Sequence, residues 1–524
     1  MLFATFIANS NNISGQVNTF SGQIVLQNAS PVTNAKVRIV GDDIIKTTDE
    51  RGFFQFNVVN KTNYTTEVEV DSYITNHKNI SFASDKTTLI IVKRSDIETI
   101  KVTASVRDRD VLDMAIPVIV LSGEELINKR STNLGETLAQ EPGVSVSSYG
   151  SGAGRPVIRG ISGSRISILQ NGLGTLDASS TSPDHAVSSE PLLAEQIEIL
   201  KGPVTLLYGG GAIGGVINVV DNRIPEKLPE NGLEGAAEVR YASASEEKAA
   251  VARLDGGFGQ WAWHVDGYKR ETEDITLPSA LGDELSNSDI SADGATAGLS
   301  WINEDQSFIG VSFGQYNNNY GLPAEENADE LVRLDVEQDR FDIKGALFEP
   351  FTGVKKIKFR YGRNNYKHVE LEGEEIGTTF TNKADEARLE LLHIPLDGWQ
   401  GALGVQVNNR DFSAIGEEAF VPPSTTESLG VFIVEEKSFN NVNVEVGIRS
   451  DKQTLNSDNL RNSLTDNAFS ASIGGLWKFH PSYSLSLALA RAQRIPNAEE
   501  LLSYGPHLAT QSFELGNIDL KKES

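Results

Sequence analysis

From about residue 230 onward, apolar and polar positions alternate with a period of two. In KIKFRYGRN (356–364), Ile357, Phe359 and Tyr361 fall on one face and Lys358, Arg360 and Gly362 on the other. VNVEVGIRS repeats this, with Val442, Val444, Val446 and Ile448 opposite Asn443, Glu445, Gly447 and Arg449. WAWHVD and YSLSLALA, with Trp261, Trp263, Val265 and Tyr483, Leu485, Leu487, Leu489 on their apolar sides, are further copies. Successive side chains of a β-strand point to opposite faces, so each segment is a strand with one apolar and one hydrophilic face. Charge on the second face predicts water there, and hence a hydrated lumen behind a lipid-facing wall. A soluble sandwich alternates too. The acidic loops LPAEENADE and ELEGEEIGTT favour an antiparallel barrel with long loops on one side.

Earlier in the chain the texture differs. Residues 13–93 read as short strands with polar turns, the pattern of a small β-sandwich, with Gly52 at a positive φ in a hairpin. Residues 94–110 are polar around an extended core, 99–104. From 111 to 228 the pattern is mixed α+β. Ser122 caps a helix over 123–128, a second covers 133–140, a short one covers 191–196, and Asn171-Gly172 marks a hairpin. Apolar strands 197–200 and 216–220 flank a run of glycines where chains approach closely. A phosphate-binding loop fails there, because GGGAIGG is followed by Val216 rather than by Lys and Ser or Thr. The fold class expected is mainly β: a small sandwich, an α+β unit and an antiparallel transmembrane barrel.

Composition narrows the functions. At 524 residues several domains are expected. The absence of cysteine excludes disulfides and thiolate metal sites. A net charge of −26 argues against nucleic-acid partners and suits a cation in an acidic cavity. No apolar run is long enough for a transmembrane helix, which leaves barrel strands open. Residues 1–12 are either a signal-peptide remnant or a buried edge of the first domain. His77 alone in the first domain gives no peptidase constellation, so no catalytic residues and no enzymatic activity are expected.

Three stretches carry a family resemblance: RGISGSRISILQNG, EQIEILKGPVTLLYGGGAIGGVINVV and RIPNAEELLSYGPHLATQSFELGN. In this order they resemble the plug and barrel segments of TonB-dependent outer-membrane receptors. SPDHAVSSEP (182–191) resembles the branch associated with zinc uptake, and residues 13–93 are similar to the carboxypeptidase-regulatory-like domains that precede some plugs. The resemblance implies a TonB-box linker at 94–110, a plug at 111–228 and a barrel from 229. It implies that Glu98, Thr99, Ile100, Lys101, Val102, Thr103 and Ala104 add as a strand to TonB in the periplasm. It also implies that plug arginines, here Arg155, Arg159 and Arg165, face barrel carboxylates, for which Glu499 and Glu500 are candidates. Some 295 residues hold roughly a dozen strands where plugged transporters use 22, so a partial barrel is expected.

Asp184 and His185 are the sharpest chemical site. Carboxylate oxygen and imidazole nitrogen both bind zinc, but two adjacent residues fill half a tetrahedral shell. The resemblance implies that the remaining ligands come from the barrel side. His507 is the first candidate; Glu325, Glu326 and His264 follow, and His368, His393 and His480 are scattered. YGLPAEENADELVR lacks the histidines that zinc-branch loops often carry, which leaves room for a harder cation. The expected function is TonB-dependent uptake of a metal ion, zinc first, or a small metal complex across the outer membrane. The alternatives are a siderophore, haem, cobalamin or glycan as cargo, and more distantly a secreted β-rich adhesin. Aromatics at 7% favour the small ion.

Overall fold

The computed structural model describes residues 17–26, 31–33, 35–39, 45–59, 63–69, 78–81, 88–92, 101–103, 109–110 and 118–524. Within the last range 202, 281, 324–330, 374, 417–418, 481–482, 508–509 and 511 are excepted. The chain divides into two units, Met1–Ile100 and Lys101–Ser524.

The first unit holds two small sheets. One runs Phe53–Val59, Val17–Leu26, Thr88–Val92; the other runs Ile45–Thr47, Lys36–Ile39, Asn63–Glu69, Lys78–Ser81. Ile24, Val37, Phe54 and Phe56 are buried, and every second residue of FFQF points inward. Gly52 turns the hairpin at φ 75°. A Cβ there would collide with the Ile24 carbonyl oxygen, so glycine is required. The expected signal remnant lies outside the described residues.

In the second unit, a five-stranded sheet runs Val118–Ser122, Gln196–Leu200, Gly215–Val220, Ile166–Gln170, Leu173–Gly174. Helix Gly123–Lys129 follows Ser122. In the second helix Asn133 is the cap rather than the first turn: its side chain accepts from Glu136 N at 2.8 Å, and the helix spans only Leu134–Leu138. The segment after Glu190 is a single 3-10 turn, Pro191–Leu193, shorter than the sequence suggested. Ala194 is already extended and strand pairing takes over at Gln196. Asn171 and Gly172 form the hairpin turn, both at positive φ. Leu126, Leu134, Ile158, Ile197, Ile199 and Ile217 make the core of this unit.

Around it stands an antiparallel sheet of thirteen strands in chain order, from Leu233–Ala242 to Tyr483–Arg491. Its outer face is apolar and exposed, with Val265, Leu299, Ile309, Phe359, Leu389 and Leu403 among the side chains presented. The inner face carries the polar residues, but the second face of the alternation does not meet an open lumen. Lys358, Asn364, His368 and Glu370 are all buried. The α+β part of the same unit, residues 118–220, fills much of the space, and its irregular backbone uses the wall's donors. Asn364 Nδ2 donates to Leu176 O at 2.8 Å, Arg340 Nη1 to Gly174 O at 2.9 Å and Arg388 Nη1 to Leu207 O at 2.6 Å. Backbone carbonyls enclosed away from water need such partners, which is why the hydrophilic face carries amides and guanidinium groups.

The described part of the linker is docked rather than loose. Val102 is fully buried beside Leu200, Leu207 and Val216. Thr103 donates from both its backbone N and its hydroxyl to Glu198 Oε1, at 2.6 and 2.8 Å. The rest of the expected TonB box, apart from Lys101, lies outside the described residues.

Candidate metal centre

The loop 177–190 is closed by its own polar groups. Asp177 accepts from Ser179 N through one carboxylate oxygen and from Ser188 N through the other, at 3.0 and 2.9 Å. Arg155 Nη1 donates to Ser182 O at 3.0 Å, and the Ser182 hydroxyl donates to Asp184 Oδ1. Tyr320, from wall strand Phe308–Gly321, donates its hydroxyl to Asp184 O and accepts from Ala186 N, both at 2.9 Å. These contacts fix Asp184 and His185 at the apex of the loop, both fully buried.

Two further donors reach this point from elsewhere. Glu370 comes from wall strand Val354–Glu372, and His507 from the hairpin of Tyr504–His507 with Ser512–Leu515. One ligand atom each from Asp184, His185, Glu370 and His507 can be chosen so that all four lie within 4.8 Å of one another. His185 Nε2 is 3.2 Å from Glu370 Oε1 and 3.7 Å from Asp184 Oδ2; His507 Nε2 is also 3.7 Å from Asp184 Oδ2. Neither Asp184 Oδ2 nor His507 Nε2 has a hydrogen-bond partner, though both are buried. Unpaired buried polar atoms are costly, and their convergence is what a cation would relieve.

The orientation of His185 fits this. Its Nδ1–H donates to Ala178 O at 3.2 Å, which turns Nε2 toward the carboxylates. Burial disfavours its charged form, but Asp184 and then Glu370 outweigh that and hold its pKa above the ordinary value. In the ion-free protein it therefore carries a proton that a cation would displace. Phe380 meets the His185 ring edge-on at 5.0 Å and Phe420 packs on His507 at 4.7 Å, so aromatic rings flank the centre.

Of the other residues singled out in the sequence, His264 does face inward, but its partners lie outside this cluster. Its ring nitrogens meet Asp255 and Asp266, each at 2.8 Å. Glu325 and Glu326 lie outside the described residues. His393 meets Glu435 at 2.9 Å. Arg165 faces Glu500 at 3.6 Å and Glu523 at 2.9 Å. Glu499 instead pairs with Arg410, a wall residue, at 2.9 Å. Arg155 is used by the Ser182 carbonyl, and Arg159, at φ 52° in a turn, has no ion pair among the described residues. Sequence reasoning missed Glu370. It read ELEGEEIGTT as loop, whereas the strand continues through Glu372, and the parity of Lys358 and Arg360 already places 370 inward.

A wall of antiparallel strands closed by an α+β plug, with a buried donor cluster where the two meet, defines a plugged receptor of the outer-membrane type. Residues 110–216 match the TonB-dependent receptor plug domain, and residues 244–524 the TonB-dependent receptor-like β-barrel. The chain belongs to the TonB-dependent receptors. It is 27% identical over 310 residues to a vitamin B12 transporter of Photobacterium profundum, covering 54% of this chain and 49% of that protein. To a hemin receptor of Yersinia pestis it is 32% identical over 138 residues, 26% of this chain and 20% of that one. The chain thus spans about half the length of the first relative and a fifth of the second. In fold it resembles the copper transporter OprC, with a TM-score of 0.62 at 17% identity, covering 74% of this chain and 64% of that one.

Proposed function

We propose that this receptor imports a divalent metal ion, zinc before others, across the outer membrane, driven by TonB. The observation that carries the reading is the buried convergence of Asp184, His185, Glu370 and His507 from a plug loop, a wall strand and a hairpin. Two imidazoles and two carboxylates are a borderline donor set suited to zinc. The absence of thiolate and thioether from the set disfavours cuprous copper, and the two nitrogens disfavour calcium or magnesium. The plug blocks passive flow. With no nucleotide-binding motif in the sequence, energy comes from TonB pulling on residues 98–104 from the periplasm, and Thr103 joins that segment to Glu198 in the central sheet of the plug. On this reading the first unit is a non-catalytic, carboxypeptidase-regulatory-like appendage, and the apolar outer wall faces lipid.

A second reading takes its support from the relatives named for vitamin B12 and hemin: the cargo is an organic complex and the cluster is structural. Against it, the four donors are buried and packed against Phe380 and Phe420. Zinc titration by calorimetry on the full-length receptor in detergent separates the two, with manganese, iron and a ferric siderophore as competitors. Tight zinc binding that is lost in Asp184→Ala/His185→Ala is the expected result. No zinc heat, or heat unchanged in the double variant, overturns the assignment of this site.

A further inference from the structure

Glu370 Oε1 stands between two imidazoles. It is 3.2 Å from His185 Nε2 and 3.7 Å from Nε2 of His368, a residue outside the four-donor cluster. His368 is fully buried, and its Nε2 has no hydrogen-bond partner. The ring is held on its other sides. Nδ1 meets the Tyr366 hydroxyl at 3.0 Å, the ring stacks on Phe380 at 4.4 Å and 17°, and its centre is 4.4 Å from that of His185. With Nδ1 engaged by the Tyr366 hydroxyl, Nε2 is the nitrogen that faces the Glu370 carboxylate, and partners of this kind orient metal-binding histidines. A residue needed only for stacking on Phe380 would be as well served by phenylalanine, with no orphaned nitrogen.

Position matters as much as chemistry. Residues 368 and 370 share the inner face of one strand, so His368 lies one step, ~6.6 Å, further from the loop end of the wall. We propose that His185, Glu370 and His368 form a second, deeper position for the same cation, reached when Asp184 and His507 release it. This rests on the reading of the four-donor cluster as a cation site. Two histidines and a glutamate are a sufficient protein set for zinc when water completes the shell. His507 belongs to a hairpin and Glu370 to the wall, so a movement of the hairpin removes an upper ligand while leaving the deeper carboxylate in place.

The test uses cobalt(II) as probe, followed by visible absorption, on the full-length receptor in detergent. Wild type is compared with Asp184→Ala/His507→Ala, which keeps the deeper three donors, and with the same variant carrying His368→Phe, which keeps the stack on Phe380. The double variant is expected to bind one cobalt ion ~10–100-fold more weakly than wild type, and the triple variant none. Residual binding that His368→Phe leaves unchanged overturns the proposal, as does a folded double variant that binds no cobalt while wild type does. If wild type itself binds no cobalt, the cation site falls and this position with it. Should the phenylalanine variant fail to fold, His368→Gln replaces it with the same expected loss.

Discussion

Two buried histidines of this receptor look alike in sequence and differ in what surrounds them. His264, on the wall strand Trp261–Glu271, has both ring nitrogens taken, by Asp255 on the neighbouring strand and by Asp266 on its own. Asp255 in turn accepts from Asn222 Nδ2 at 2.7 Å, which ties the end of the plug to the wall. His185 also has both nitrogens engaged, Nδ1 by the Ala178 carbonyl and Nε2 by Glu370, but around its Nε2 stand the unpartnered Asp184 Oδ2 and His507 Nε2, with His368 Nε2 just beyond. A ring bonded on both sides with no unpartnered donor atom beside it is a fastener. Orphaned donor atoms that converge from several elements mark a place built for something else.

The strongest way to break this distinction is to neutralise one group at each place. His264→Leu leaves Asp255 and Asp266 facing each other without their shared cation. Removing one partner of a buried ionic network costs ~3–5 kcal/mol, to be read as a lower unfolding midpoint in detergent, with zinc affinity unchanged. Asp184→Asn should do the reverse. Its Oδ2 has no hydrogen bond to lose, the Ser182 hydroxyl can still donate to the amide oxygen, and what goes is the charge 3.7 Å from His185 Nε2. Without that charge His185 can shed its extra proton, so ion-free stability at neutral pH should fall less than in His264→Leu while zinc affinity falls ~10–100-fold. A large stability loss in Asp184→Asn would make the cluster a fastener as well.

Acid should sharpen the same contrast. The pKa of His185 is raised, so in the ion-free protein its proton is held above the usual pH of about 6.5. Burial pushes His507 the other way, against the pull of Asp184, and keeps it neutral. A cation on His185 Nε2 therefore displaces one proton. Zinc affinity should fall about tenfold per pH unit below the raised His185 pKa and level off above it. At a pH below about 6.5, calorimetry in buffers of different ionisation enthalpy should count one proton released per zinc, and zero there would remove His185 Nε2 from the ligands.

Much of this was legible in the chain, and the gaps have physical causes. The period of two defined the wall strands, and the glycine-rich run and Asn171-Gly172 marked the close approaches and turn of the plug. Asp184 and His185 stood out because SPDHAVSSEP resembles a zinc-uptake branch; an adjacent Asp and His alone would more often be a loop cap and a packing residue. Glu370 and His368 did not, because a period of two assigns a face but not what that face meets. Only the depth at which the plug loop lies in the wall puts residue 370 beside residue 185. Similarly, the alternation showed polar inner faces, yet the plug's demand for donors to its carbonyls, not water, is what they answer. The arginines show the same limit: charge identified them, but whether Arg155 meets a carboxylate or the Ser182 carbonyl is decided by tertiary position.

The smallest effect expected belongs to the clamp that holds the loop. Tyr320 is fully buried, and its one hydroxyl both accepts from Ala186 N and donates to Asp184 O. Tyr320→Phe keeps the ring, which packs so closely on Gly152 that a Cβ there would collide with Tyr320 Cγ. It leaves a backbone N–H and a C=O unpaired on either side of His185, a cost of ~1–3 kcal/mol for each buried group left so. Since Asp177 and Arg155 still close the loop, the donors should loosen rather than scatter. Zinc affinity is then expected to weaken ~10-fold with the stoichiometry unchanged. Gly152→Ala separates ring from hydroxyl, because it displaces the ring while retaining the hydroxyl. If both variants weaken zinc binding equally, the placement of the hydroxyl positions the ligands; if only Gly152→Ala does, the hydroxyl is dispensable and the seat of the ring, with Asp177 and Arg155, holds the loop.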